Sequence, residues 1–120
     1  MEHARPTFPK RSRIQRNAEF RHAYDHGRRY ETRLFVAYVL DTPDQPRALG
    51  CVTSRKIGSA VARNRARRLF REAYRLNQHK LKPNFQLVLI ARSAVNGKAY
   101  RDVEAVLLDV ARAAGLLLSS

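Results

Sequence analysis

Hydrophobic and polar positions follow two rhythms along this chain. Ala18, Phe20, Ala23 and Tyr24 recur at helical spacing, and so do Val103, Val106, Leu107, Val110 and Ala114 near the other end. Between them, 34–40 and 85–91 are short runs rich in β-branched, aromatic and aliphatic residues, which predict strands. The first helical stretch is expected to run from Asn17, read as its N-cap, to about His26, with Gly27 as the stop. The last is expected from Ala99 or Tyr100 to Ala114, ending at Gly115.

Turn residues over Asp41–Gln45 predict that a second strand, about 47–54, returns antiparallel and closes a hairpin with 34–40. Ser59 is placed to cap the longest helix, about Ala60–Asn77. Pro83-Asn84 marks a turn, and the strand after it is apolar enough to be covered on both faces. Residues 1–15 read as a basic, loosely ordered arm broken by Pro6 and Pro9, and Leu116–Leu118 is expected either to fold back or to fray. No repeat, low-complexity tract or linker interrupts the pattern, so 1–120 reads as one domain. The order α-β-β-α-β-α predicts an α+β fold, a two-layer sandwich of helices on a small, mostly antiparallel sheet.

Length and charge narrow the function. With 120 residues the chain can bury one modest core, which excludes a large multi-domain enzyme. Lys+Arg number 24 against 10 Asp+Glu, a net charge of +14 that favours a polyanionic partner, nucleic acid ahead of an anionic membrane. The one cysteine, Cys51, lies in an apolar run and reads as a small buried hydrophobe in a reducing compartment. No apolar run approaches the ~18–20 residues of a membrane span, and no signal-like stretch is seen, so a cytoplasmic protein without a membrane partner is expected.

The charge is concentrated between Arg55 and Arg75. On a helical wheel Ala62, Ala66, Leu69, Phe70, Ala73 and Leu76 fall within roughly 120°, a core-facing stripe. Arg63, Asn64, Arg67, Arg68, Arg71 and Arg75 occupy a separate arc, with Arg65 flanking the apolar side. A solvated helix face mixes acids and bases at four-residue spacing, but only Glu72 offsets these arginines. Like charges at that spacing cost a few tenths of a kcal/mol per pair, which a phosphate-rich partner would relieve. Arginine, whose planar fork pairs bidentately with phosphate, is the residue suited to that partner. Asn64, mildly unfavourable inside a helix, adds an amide able to bond to sugar, base or phosphate.

The block Ala60-Val61-x-Arg63-Asn64-Arg65-x-Arg67-Arg68-x-x-Arg71-Glu72 resembles the signature of the protein subunit of bacterial ribonuclease P. So does the preceding 49–58, which ends Thr53-Ser54-Arg55-Lys56-Ile57-Gly58, and so does Ala18-Glu19-Phe20-x-x-Ala23-Tyr24-x-x-Gly27-Arg28. Arg55 stands where lysine is more usual, Ala66 where a larger aliphatic is common, and Ile14 where leucine is frequent; none removes a charged contact. The resemblance spans roughly Arg13 to Leu108. It implies a left-handed βαβ crossover around the basic helix, against the usual right-handed rule. It also implies partnership, one protein per RNA, with a catalytic RNA that removes the 5′ leader from precursor tRNA using Mg²⁺ held mainly by the RNA.

By that match, Arg63, Asn64, Arg65, Arg67, Arg68 and Arg71 are expected to contact the RNA subunit. Phe20, Tyr24 and Tyr38 are candidates for a leader cleft, where stacking on single-stranded bases contributes about 1–3 kcal/mol each. Read alone, each of these aromatics fits a core better than a cleft, and it is the resemblance that raises the cleft reading for Phe20 and Tyr24. Phe35 falls on the other strand face from Tyr38 if Leu34, Val36 and Tyr38 share a side, and so has a different role. Arg13, Arg16, Arg28, Ser54 and Lys56 are expected along the same leader path. No catalytic residue and no protein-bound cofactor is expected: there is no Gly-rich phosphate loop, and the carboxylates Asp41/Asp44 and Asp102/Glu104/Asp109 do not suggest a two-metal cluster. His22 and His26 have a spacing that can bind metal but, lacking a Glu-x-x-His companion, read as a surface pair. The alternative reading is a ribosomal or other structural RNA-binding protein.

Overall fold

The structure is a computed structural model that describes residues 13–118; most of the basic arm, 1–12, lies outside the described residues. Three helices, α1 (Asn17–His26), α2 (Ala60–Asn77) and α3 (Tyr100–Ala113), pack on four strands. These are β1 (Arg28–Glu31), β2 (Phe35–Asp41), β3 (Ala48–Val52) and β4 (Phe85–Ala91), in the spatial order β1-β2-β4-β3. The α+β class and the mostly antiparallel sheet are borne out: β1·β2 and β2·β4 are antiparallel, and β3·β4 is parallel.

The expected hairpin between 34–40 and 47–54 does not form. β4 lies between the two strands, and β3 runs parallel to it, reached through α2. The physical reason is apolarity: six of the seven β4 residues are buried, as a central strand requires, whereas 42–46 is polar enough to serve as an open loop. β1 is an additional strand. Its sequence, Arg-Arg-Tyr-Glu, has no apolar alternation, and it exists through its register with β2.

Alternation along the strands divides the molecule. Phe35, Ala37 and Val39 of β2 and Phe85, Leu87 and Leu89 of β4 join Phe70, Ala73 and Tyr74 of α2 and Val103 and Leu107 of α3 in the main core. Phe35 and Phe70 meet edge to face, centroids 5.5 Å apart. Leu34 belongs to this core, not to the side of Val36 and Tyr38. The opposite sheet face carries a smaller cluster, Ile14, Ala23, Ala48 and Val88, with Phe20, Tyr38, Val52 and Ile90 against it; this is the face α1 covers.

Ser59 caps α2 as expected, its Oγ accepting from Ala62 N–H at 3.2 Å. Asn17 is not the cap of α1. Arg16 holds that position, and its N–H donates to the Glu19 carboxylate at 3.4 Å. The apolar stripe of α2 is rotated from the wheel: Tyr74 and Asn77 are buried, and Leu76 is 38% exposed. Asn77 is tolerated inside because its amide donates to Ala73 O and to Glu104 Oε2, both at 2.8 Å. After Gly115, in the left-handed region at φ 74°, the chain folds back, and Leu117 pairs with Leu81.

Candidate nucleic-acid interface

Phe20 and Tyr24, four residues apart, project together from α1 towards the sheet. The Tyr24 ring meets Tyr38 edge to face at 5.1 Å, and Phe20 lies 6.5 Å from Tyr24. Phe20 rests on Gly50 so closely that a Cβ there would stand 2.6 Å from Phe20 Cε1. These rings are therefore both support and surface. Phe20 and Tyr38 are half-buried, whereas Tyr24 is exposed at the edge of a groove of about 480 Å³. Asn17, Arg21, Cys51, Val52, Thr53 and Arg67 line the rest of it. Burial, and then the neighbouring Tyr38, raises the Tyr24 hydroxyl above its ordinary pKa, so it remains a neutral donor at physiological pH. Burial likewise pushes the Cys51 thiol up to about 12, against the opposing pull of Arg71 and Arg67.

A second groove, about 490 Å³, follows the polar face of α2 and is lined by Arg13, Asn64, Arg67, Arg68, Arg71, Glu72 and Arg75. Arg13 reaches it because the end of the arm docks on β3, where Ile14 N–H donates to Leu49 O at 2.9 Å. Arg67 borders both grooves, donating to Thr53 Oγ1 on one side and to Asn64 Oδ1 on the other. A guanidinium whose two bonds go to neutral acceptors keeps its full positive charge at the surface. Glu72 is engaged by Arg75 at 2.9 Å, so it offsets one arginine.

The remaining predicted site residues separate from these grooves. Arg63 donates to Gly58 O at 2.8 Å and Arg65 to Lys98 O at 2.5 Å, and neither lines the α2 groove. Arg28 departs from its predicted place on the leader path. Paired with Val39, it belongs to the other face of the sheet, where its guanidinium reaches Asp41 at 2.9 Å and Ala114 O at 3.0 Å. Its neighbour Arg29, paired with Tyr38 in the sheet, stands on the cleft face and donates to the Glu31 carboxylate at 2.9 Å. Strand alternation separates the two, but β1 carries no apolar pattern from which it could have been read. Arg16 is exposed at the start of α1 outside both grooves. Ser54 and Lys56 border a third groove with Arg92 and Ser93, and Ser54 Oγ accepts from Lys56 N–H at 3.3 Å. Among the described residues no group of three or more His, Cys, Asp or Glu is arranged to hold a metal ion, and no helix is long and apolar enough to cross a membrane.

A basic helix face and an aromatic cleft on a small α+β scaffold define a protein built to contact RNA. The family model for ribonuclease P matches residues 8–115. A ribonuclease P protein component of Clostridium botulinum (strain Loch Maree / Type A3) is 42% identical over 108 residues, covering 89% of this chain and 97% of its own. One from Clostridium acetobutylicum is 42% identical over 112 residues, covering 91% and 93%. Among solved structures, a Staphylococcus aureus RNase P protein mutant with defective mRNA degradation activity superposes with a TM-score of 0.81 at 28% identity, covering 90% of this chain and 92% of that one. The RNase P protein from Thermotoga maritima gives 0.74 at 25% identity, covering 82% and 93%. The chain belongs to the ribonuclease P protein family, as a protein component of that ribonucleoprotein enzyme.

Proposed function

We propose that this protein seats the 5′ leader of precursor tRNA against the ribonuclease P RNA, one protein to each catalytic RNA, in the cytoplasm. The observation that carries the reading is the sharing of Arg67 between the aromatic cleft and the arginine groove. One RNA laid in each groove would meet at that guanidinium, and the repulsion between the two backbones would be relieved there. In this reading Asn64, Arg67, Arg68 and Arg71, joined by Arg13 and Arg75, contact the catalytic RNA. Phe20, Tyr24 and Tyr38, with Arg21 and Arg29, hold the leader by stacking and charge. Ser54, Lys56 and Arg92 extend the path for leader phosphates. Arg63, Arg65 and Arg16 have places at the margin.

The protein makes no bond and breaks none. Mg²⁺ held by the RNA would supply the activated water, and the residues here bind and orient. Leader contacts present in the precursor and absent from mature tRNA favour substrate over product, so product leaves. The test is processing of a labelled precursor tRNA at low Mg²⁺ with nothing added, protein alone, RNA alone, or both. Correct 5′ maturation only with both supports the reading. Cleavage by protein alone refutes the positional role, and no effect in any combination favours a structural RNA-binding protein.

A further inference from the structure

His22 and His26 take no part in the reading above. They stand one turn apart on α1, roughly on the side opposite Phe20 and Tyr24. Both are exposed, and their ring centroids are 4.5 Å apart with planes inclined at 46°. Two imidazoles on one ion, with metal–nitrogen bonds of about 2.0–2.1 Å, have centroids about 4.5 Å apart at a right angle and about 5.2 Å apart at the tetrahedral angle. The observed spacing is therefore within about 1 Å of what a shared ion needs. Among the described residues neither imidazole is engaged in a hydrogen bond or ion pair.

The neighbourhood is unlike the rest of this basic molecule. His22 borders a groove of about 220 Å³ lined by Leu40, Asp41, Thr42, Asp44 and Gln86, among others. Gln86 is 7% exposed, and among the described residues its buried Oε1 and the buried Thr42 Oγ1 have no hydrogen-bond partner. Asp41 is committed to Arg28, at 2.9 Å, but Asp44 is in no ion pair among the described residues. The exposed Asp44 carboxylate beside His22 suits water molecules bound to a cation.

We propose that His22 and His26 bind one zinc-class divalent ion through their two imidazoles, with water completing its coordination on the side of the Asp44–Gln86 groove. The ion would tie together the last turns of the helix that carries the aromatic cleft.

The test is titration of Zn²⁺ alone into the full chain by calorimetry. The forms compared are wild type, His22→Ala, His26→Ala, and a control in which the other two histidines are replaced, His3→Ala with His79→Ala. Wild type and the control should bind one ion with the same affinity, and each of His22→Ala and His26→Ala at least tenfold more weakly. Side-chain NMR of the wild type gives a readout independent of any variant: both imidazoles should shift together at one equivalent. Wild-type affinity in either single variant, loss confined to the control, or a shift at one ring alone would each overturn the site.

Discussion

Gly50→Ala puts the cleft's architecture to a quantitative test. The added Cβ would stand 2.6 Å from Phe20 Cε1, 3.0 Å from Cζ and 3.1 Å from Ile14 Cβ. Carbon atoms rest at about 3.5–4.0 Å, so the Phe20 ring must retreat by about 1 Å. Overpacking of this kind costs about 1–3 kcal/mol of stability. In the proposed role, where Phe20 stacks on the leader, the displaced ring also loses part of a contact worth about 1–3 kcal/mol, which caps the loss of leader affinity at about 150-fold. Two assays read the two effects: urea denaturation of the free protein, and competition between precursor and mature tRNA for the assembled enzyme. A double-mutant cycle isolates the clash. With Phe20→Ala in the background the methyl group meets no ring, so the cost of Gly50→Ala should largely disappear. If Gly50→Ala costs the same with and without Phe20, the packing argument is wrong.

Arg67→Ala should lower the slope of log affinity against log salt by about 0.7–0.9, one phosphate contact, and Arg65→Ala by less, because Arg65 is held at Lys98 O. Equal slopes for the two variants would remove the distinction between groove and margin. Cys51, with its thiol near pKa 12, carries about one thiolate in ten thousand at pH 8, so iodoacetamide should label it far more slowly in native than in denatured protein. Glu104 is held below its ordinary 4.5, first by the Asn77 amide and then by the Tyr100 hydroxyl. Its stabilisation is complete above about pH 4.5 and is lost as pH falls through the depressed native value. Glu104→Gln should flatten that part of the stability–pH curve, and an unchanged acid limb would show the carboxylate to be idle.

Elements with their own periodicity were legible from the amino-acid order alone. The bounds of α2, its Ser59 cap and the strand 85–91 follow from local spacing, which tertiary structure does not override here. β1 and the β2–β4–β3 order were not legible, because pairing partners are chosen by burial across the whole sheet. The same limit acts on side chains: Asn77 is buried through Glu104, a residue on another helix that no wheel includes. Of the site, the arginine face of α2 could be read because charge and helical period coincide. That Arg28 faces away while Arg29 faces the cleft depends on β1, and so was hidden with it.

The strand order also has a consequence for the chain as it leaves the ribosome. β4 occupies the middle of the sheet, yet it is made after β1, β2, β3 and α2. Until Ala91 has emerged, β2 and β3 lack their common neighbour, and the apolar stripe of α2 has only an incomplete sheet to cover. The arginines of α2 thus enter the cell ahead of the scaffold that positions them. Newborn chains meet polyanions before their fold is closed, and a stop codon ahead of β4 leaves a basic, half-covered fragment with an open sheet.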